Sequence, residues 1–273
     1  MPSTAATFGF VLAAGAAVVA AILLPPWWRA RSFRKRLISG ALDDERKRIR
    51  STRAWVRLSE ALRPILETRA LKLLDSVSFI GCGGFEVTPD VRVEIATQAC
   101  LPVLRAPLDV YALLRTFLVY PDEFRVMEIF EEDGVVTERE SMLSGQAFDA
   151  SRIVLSWRDV TEAGAGYNVV IHECAHHLDH VAPPDVGPDA AGWSRAVAIA
   201  RDDLERRLQS GADDPLDDYA LEHPEEFFAV ASETFFESPG PLLATHPELY
   251  AALARYYAVD PVTWDDGNRP SVD

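Results

Sequence analysis

Residues 167–181 read Tyr167-Asn168-Val169-Val170-Ile171-His172-Glu173-Cys174-Ala175-His176-His177-Leu178-Asp179-His180-Val181. The apolar opening Val169-Val170-Ile171 leads into His-Glu-x-x-His, so the spacing predicts a helix that runs into a core. On a helix, residues four apart share a face. His172 and His176 can therefore direct both imidazoles at one metal ion. Glu173 stands beside the first His, too near to chelate well alongside both but placed to take a proton from water. A zinc ion lowers the pKa of its water to near 7, which makes a nucleophile at neutral pH. The alternative is an ordinary buried helix whose histidines bond locally.

A catalytic zinc needs a third protein ligand and an open fourth position. A third His ten residues after the first is absent, because that position is Ala182. His180 lies about two helical turns from His172, too far to share its ion without unwinding. His177 points off the face. A carboxylate from a later helix is the better source, and Glu222, Glu225, Glu226 and Glu233 all lie in one downstream region. Pro224 opens that helix and Phe227-Phe228 anchor it. Glu226 and Glu233 are two turns apart on one face, so chemistry alone leaves the choice between them open.

The segments around the motif mix both periodicities. Gly81-Cys82-Gly83-Gly84 is a turn cluster, and no Gly-Lys-Ser/Thr follows it to make a phosphate loop. Thr88-Pro89-Asp90 is a helix start, with Thr as N-cap and Pro at the first helical position. Phe117–Tyr120 and Arg152–Trp157 read as strands, and Glu132-Asp133-Gly134 as a hairpin turn between two more. Helices are expected across Trp193–Leu208, from Pro224, and at Pro247–Tyr257. This order predicts an α+β domain with a small sheet and several helices grouped around it. The strand at 152–157 precedes the motif helix and is expected to be the rim on which a peptide adds by backbone pairing.

Charge divides the chain. Residues 1–28 carry no charged side chain, and Ala5–Leu24 is an uncharged, mostly apolar run of 20 residues. That length crosses a bilayer as a helix. Pro25-Pro26 stops it, Trp27-Trp28 suit the membrane interface, and Arg29, Arg31, Arg34, Lys35 and Arg36 follow. The positive-inside rule then puts the amino terminus outside and the rest in the cytoplasm. Residues 29–72 carry fourteen Lys/Arg against five Asp/Glu, a net +9, whereas the remainder nets −24. An acidic body repels phosphate backbones, so nucleic acid is not an expected partner. Three cysteines, Cys82, Cys100 and Cys174, have no metal-knuckle spacing and make no disulfide framework. The expected organisation is a transmembrane anchor at 1–28, a basic juxtamembrane helical segment at 29–75, a peptidase domain at 76–260 and a loose tail at 261–273.

Several stretches together resemble the Mlc titration factor A family of zinc peptidases. They are His172–Asp179, Ala191-Gly192-Trp193, Tyr219-Ala220, and Pro224 through Phe236, with Gly81–Thr88, Ala99–Leu104, Ser144-Gly145-Gln146 and Ile153–Trp157 upstream. That family is in turn similar to the catalytic domain of anthrax lethal factor. The resemblance spans roughly residues 40–260 and implies a zincin-like metallopeptidase fold with one zinc per chain. By motif position it makes His172, His176 and Glu226 the ligands and Glu173 the general base. It makes Tyr219 an oxyanion stabiliser, and Asp179 and Glu233 groups that orient ligand imidazoles. It also implies hydrolysis of peptides or proteins, aminopeptidase-like in some members, and binding of a sugar-responsive transcriptional repressor. The competing function is a non-proteolytic membrane-anchored protein that titrates such a regulator.

Overall fold

Short apolar strands with alternating burial and helices opened by Thr, Ser, Asn and Pro build this chain. Its computed structural model describes residues 31–122, 124–132, 135–143, 145–149, 151–164, 166–186 and 189–264. The apolar run at 5–24, its Trp27-Trp28 flank and residues 265–273 lie outside them. No described helix is long and apolar enough to cross a membrane. The chain divides into two units, residues 1–46 and 47–273. In the first, residues 31–38 are helical, and Arg46 bonds the Asp43 carboxylate at 3.1 Å and the Leu37 carbonyl at 3.3 Å.

The continuous helical neck expected from composition is broken into short helices: α1 (Asp43–Ser51), α2 (Arg53–Arg57) and α3 (Arg63–Ser76). Thr52 accounts for the first break. It is extended (φ −72°, ψ 151°), and its hydroxyl accepts from Trp55 N, capping α2. Leu58 is likewise extended, and Pro64 opens α3.

The sheet begins with β1 (Ser78–Gly81). The turn that follows needs Gly81 itself, because a Cβ there would meet the Phe85 carbonyl oxygen at 1.9 Å. Helix α4 (Pro89–Ala99) starts as its sequence predicts, with Thr88 Oγ1 accepting from Val91 N. Strand β2 (Thr116–Tyr120) alternates, with Phe117 and Val119 fully buried. Strands β3 (Phe124–Glu132) and β4 (Val135–Leu143) pair antiparallel down to Glu132↔Val135, the hairpin expected around Asp133-Gly134. Then come β5 (Gly145–Asp149) and β6 (Arg152–Ser156). The main sheet has the order β1-β2-β6-β5, with three parallel strands and β5 antiparallel at one edge.

One expectation is overturned here. β6 is not a rim. It pairs with β2 on one side and β5 on the other, and Ile153–Ser156 are buried, as a central parallel strand must be. The rim beside it is β5. That strand was not legible because Gly145, Gln146 and Asp149 have poor strand propensity. β1 escaped for a similar reason, with only Phe79 in its four residues short of exposed.

After β6 come α5 (Trp157–Thr161), the motif helix α6 (Val169–Val181), α7 (Ala190–Ser210), α8 (Pro224–Glu237), α9 (Pro239–Thr245) and α10 (Pro247–Tyr257). The result is an α+β domain. α6 packs most extensively on α8, and β5 and β6 also lie against it. A turn at Pro261–Thr263 leads to Trp264, which is buried against Phe236.

The central place of β6 makes a prediction. Val154 pairs with Leu118 on one flank and Gln146 on the other. Proline there removes a ladder hydrogen bond inside the sheet. Val154→Pro is expected to abolish cooperative thermal unfolding, read by circular dichroism. A folded variant changed only in KM would show that the strand is not central.

Candidate metal centre

Asn168 is where the motif helix is secured. It is extended, and its Oδ1 accepts from Ile171 N at 3.1 Å, so it is the N-cap of α6. Four residues later His172 emerges on the face that meets α8, and His176 follows one turn on. Ile171, Cys174 and Ala175 of the same segment are fully buried. α8 begins at Pro224, and Glu226 in its first turn faces the two imidazoles.

The three donor atoms form a nearly equilateral triangle. His172 Nε2 and His176 Nε2 lie 3.1 Å apart, and Glu226 Oε2 is 3.1 Å from the first and 3.4 Å from the second. Ligands about 2.0–2.1 Å from a tetrahedral zinc are separated by about 3.3 Å, so the triangle has the size of one face of that tetrahedron. Glu226 Oε2 is buried and has no hydrogen-bond partner despite its closeness to both rings. Three ligand atoms converge where a cation fits, and the residues present suit a divalent metal. Side-chain exposures of 15–18% leave the cluster open to solvent on one side, as a fourth position requires.

Around the triangle each group has a separate task. His172 Nδ1 lies 2.6 Å from Glu233 Oε1, which fixes the ring's orientation and turns Nε2 toward the site. Glu173 is 3% exposed, and its Oε2 is unpartnered. Burial pushes its carboxyl up to about 7 against the opposing pull of His172 and His176. For Glu226 burial also acts upward, but the adjacent imidazoles outweigh it and hold the carboxyl well below the usual range. His172 shows the reverse. Burial disfavours its charge, yet Glu226 and Glu233 raise the imidazole to about 10. Tyr219 sits in a turn capped by Asp217, half-exposed, with its ring 6.3 Å from that of His172. Burial, then the charge of Glu226, raises its phenol, so it stays a proton donor at neutral pH.

The sequence of this chain matches the profile of the family described as glucose-regulated metallo-peptidase M90 over residues 26–258. An uncharacterized protein of Synechocystis sp. is 36% identical over 221 residues, covering 76% of this chain and 80% of its own. Mlc titration factor A proteins of Yersinia pestis and Yersinia pseudotuberculosis are each 33% identical over 219 residues, or 75% of this chain and 80% of theirs. The chain belongs to this family. Membership in a metallopeptidase family implies a metal, and the triangle is where the described residues fit one.

The other candidates fall elsewhere. Glu222, Glu225 and His180 are exposed and outside the triangle. His177 is buried and donates from Nε2 to the Val110 carbonyl at 2.9 Å, with its ring 5.4 Å from Tyr111. Asp179 makes no hydrogen bond to either imidazole among the described residues, and burial raises its carboxyl above the usual range. A second grouping, Asp203, Asp214 and His246, has donor atoms close together. There Asp214 is already partnered, because the Arg207 guanidinium Nε lies 3.0 Å from its Oδ2 and His246 Nε2 2.9 Å from its Oδ1. Sequence reasoning missed Asn168 as the cap, although Asn just before an apolar run is the recognised signal.

These shifts set a pH dependence for chelator-treated protein. Glu173, raised from 4.5 to about 7, gives stability that is full below pH 4.5 and is lost as pH rises through 7. His172, raised from 6.5 to about 10, acts in the same direction at higher pH. The melting temperature without metal is therefore expected to fall from pH 5 to pH 8.5, and Glu173→Gln to flatten the part below about pH 7. The Glu173 share is on the order of 3 kcal/mol. Scanning calorimetry with excess chelator checks it, and a melting temperature rising over that range contradicts the assignment.

Proposed function

We propose that this chain is a zinc-dependent peptidase of zincin-like fold, with His172, His176 and Glu226 as the ligands. The observation that carries the reading is the donor triangle with its unpartnered Glu226 oxygen. Two imidazoles and one carboxylate are a ligand set that zinc takes in hydrolytic sites. When bound, the ion supplies Lewis acidity and lowers the pKa of water.

The remaining steps belong to the chain. Glu173 takes a proton from the attacking water at Oε2 and hands it to the leaving amine. A carboxyl held near 7 is matched to both transfers. Tyr219, half-exposed with its ring 6.3 Å from that of His172, donates from its phenol to the oxygen that becomes negative. Glu233 keeps His172 in place throughout. A peptide substrate adds to the outer edge of β5, which pairs only with β6 among the described residues and packs against the motif helix. Aminopeptidase-like cleavage is the narrower form of this reading.

Glu173→Gln should abolish peptide hydrolysis while leaving one zinc per chain, and chelation should abolish it reversibly. Tyr219→Phe should lower kcat by about 10²-fold with KM nearly unchanged, the size found for loss of one oxyanion donor. Full turnover in Glu173→Gln would sink the mechanism. A second reading draws on the relatives named Mlc titration factor A: the chain binds a transcriptional regulator and holds it away from its targets. Regulator effects that survive Glu173→Gln would assign the biology to binding.

The anchor reading also belongs here. An uncharged run at 5–24, followed by Trp27-Trp28 and five basic residues within eight positions, supports a single-pass membrane protein with its amino terminus outside and its catalytic domain in the cytoplasm. A reporter fused after residue 60 should be active only in the cytoplasm. Activity only on the other side reverses the topology.

A further inference from the structure

Behind His172 a chain of hydrogen bonds leads away from the donor triangle. Glu233 takes His172 Nδ1 on Oε1 at 2.6 Å and the backbone N–H of Asn168 on Oε2 at 2.5 Å. Asn168 Nδ2 donates to Glu237 Oε1 at 2.8 Å. Glu237 Oε2 then accepts from Arg53 Nη2 at 2.6 Å and from Arg57 Nη1 at 2.8 Å. Both guanidinium groups are themselves held. Arg53 Nη1 donates to the Ala163 carbonyl at 2.8 Å, and Arg57 Nη2 to the Phe236 carbonyl at 2.5 Å.

The carboxylates in this chain are deeply buried: side-chain exposure is 5% for Glu233 and 2% for Glu237. Asn168 is 1% exposed. A buried carboxylate keeps its charge and place only if it is paired and hydrogen-bonded. Glu237 meets that condition through two guanidinium groups from α2, far earlier in the sequence. Its position four residues after Glu233 puts both on one face of α8. Asn168 joins the two carboxylates by its backbone and side chain, and its remaining oxygen caps the motif helix. Unpairing Glu237 would leave a negative charge competing for Asn168, and the Asn168 backbone is what holds the second oxygen of Glu233.

We propose that Arg53 and Arg57 are positioning residues for His172, acting through Glu237, Asn168 and Glu233. Helix α2 is then a working part of the metal centre and sets its affinity. The proposal rests on His172, His176 and Glu226 being a metal centre. A purely structural role for the arginines is the competing explanation, and it would change melting temperature without changing metal affinity in the folded state.

The test uses the full chain and zinc alone, with affinity measured by competition against a chelating dye well below the melting temperature. Cobalt(II) absorption at saturation reports the ligand geometry. Arg53→Ala with Arg57→Ala is expected to weaken zinc binding about 10–100-fold, the range for loss of an outer partner of a metal ligand, and to shift the cobalt bands. Lysine at both positions restores charge without the fork and should recover part of the affinity. Asn168→Ser keeps a good N-cap and removes only the donor to Glu237. It should weaken zinc binding about tenfold with little change in melting temperature, and it decides the matter if the double alanine variant does not fold. Zinc affinity within twofold of wild type in folded Asn168→Ser, or in the folded arginine variant, overturns the proposal. Wild-type protein that takes up no zinc overturns the centre itself, and this proposal with it.

Discussion

Three donor atoms from two helices must stay within 3.1–3.4 Å of one another, and most of the described fold serves that constraint. Helix geometry provides the His172–His176 pair at no cost, because residues four apart share a face. Glu226 is different. It arrives from another helix, so the axial position of α8 against α6 has to be fixed to a fraction of an ångström. The residues after Glu226 do this. Phe227, Phe228, Phe235 and Phe236 are all buried. Phe228 meets Trp193 and Tyr256 edge-on at 5.5 and 5.4 Å and stacks on Tyr257 at 6.2 Å. Phe235 and Phe236 close on Tyr257 further along. A slip of one helical turn, about 5.4 Å, would break every one of these contacts. The aromatic packing of α8, α7 and α10 is thus what keeps Glu226 in reach of His172 and His176.

Charge is the second constraint. Glu173, Glu226, Glu233 and Glu237 gather on two adjoining helices, all at most partly exposed. Such a group would repel itself in a low-dielectric interior. Arg53 and Arg57 match Glu237 from behind, His172 faces Glu226 and Glu233, and a cation in the triangle would offset what remains. A cluster that costs stability without its cation is better understood as a site than as a packing device. It also explains why the basic residues preceding the sheet are not all solvated surface, since two of them end on a carboxylate that is 2% exposed.

Local signals made much of this legible. Thr88-Pro89, the pairing of β3 with β4, the alternation in β2 and the proline that opens α8 were all readable, because each acts through neighbouring residues. The rank of β6 in the sheet was not. Whether Ile153–Ser156 lies at a rim or at the centre depends on β5, whose Gly, Gln and Asp residues carry almost no strand signal. The breaks in the neck at Thr52 and Leu58 were equally hidden, because composition favoured helix throughout. In the site, His172, Glu173 and His176 followed from spacing alone. The choice of Glu226 over Glu233 did not, as both occupy one face of α8. Tertiary packing separates them: Glu226 reaches Nε2 and Glu233 reaches Nδ1 of the same imidazole. Glu237 gave a faint signal, four residues beyond Glu233, but its arginine partners come from a helix that no local pattern connects to it.

The same side chain does opposite work at two places a few ångströms apart, and its surroundings decide which. Glu226 lies directly between two imidazoles, which overcome its burial and keep it ionised through any working pH. That is what a ligand needs, since a protonated carboxyl binds metal poorly. Glu173 is more deeply buried and feels those imidazoles less, so burial prevails and its carboxyl moves up to about 7. That is what a proton carrier needs, since it must accept and release a proton at one pH. Two carboxyls pushed apart in this way agree with the roles proposed for them. The assignment constrains exchange between them: a longer or shorter acid at 173 would change its burial and reach together, whereas at 226 it would open the triangle. Chain length at these two positions, and not merely charge, is therefore what the packing of α6 on α8 holds fixed.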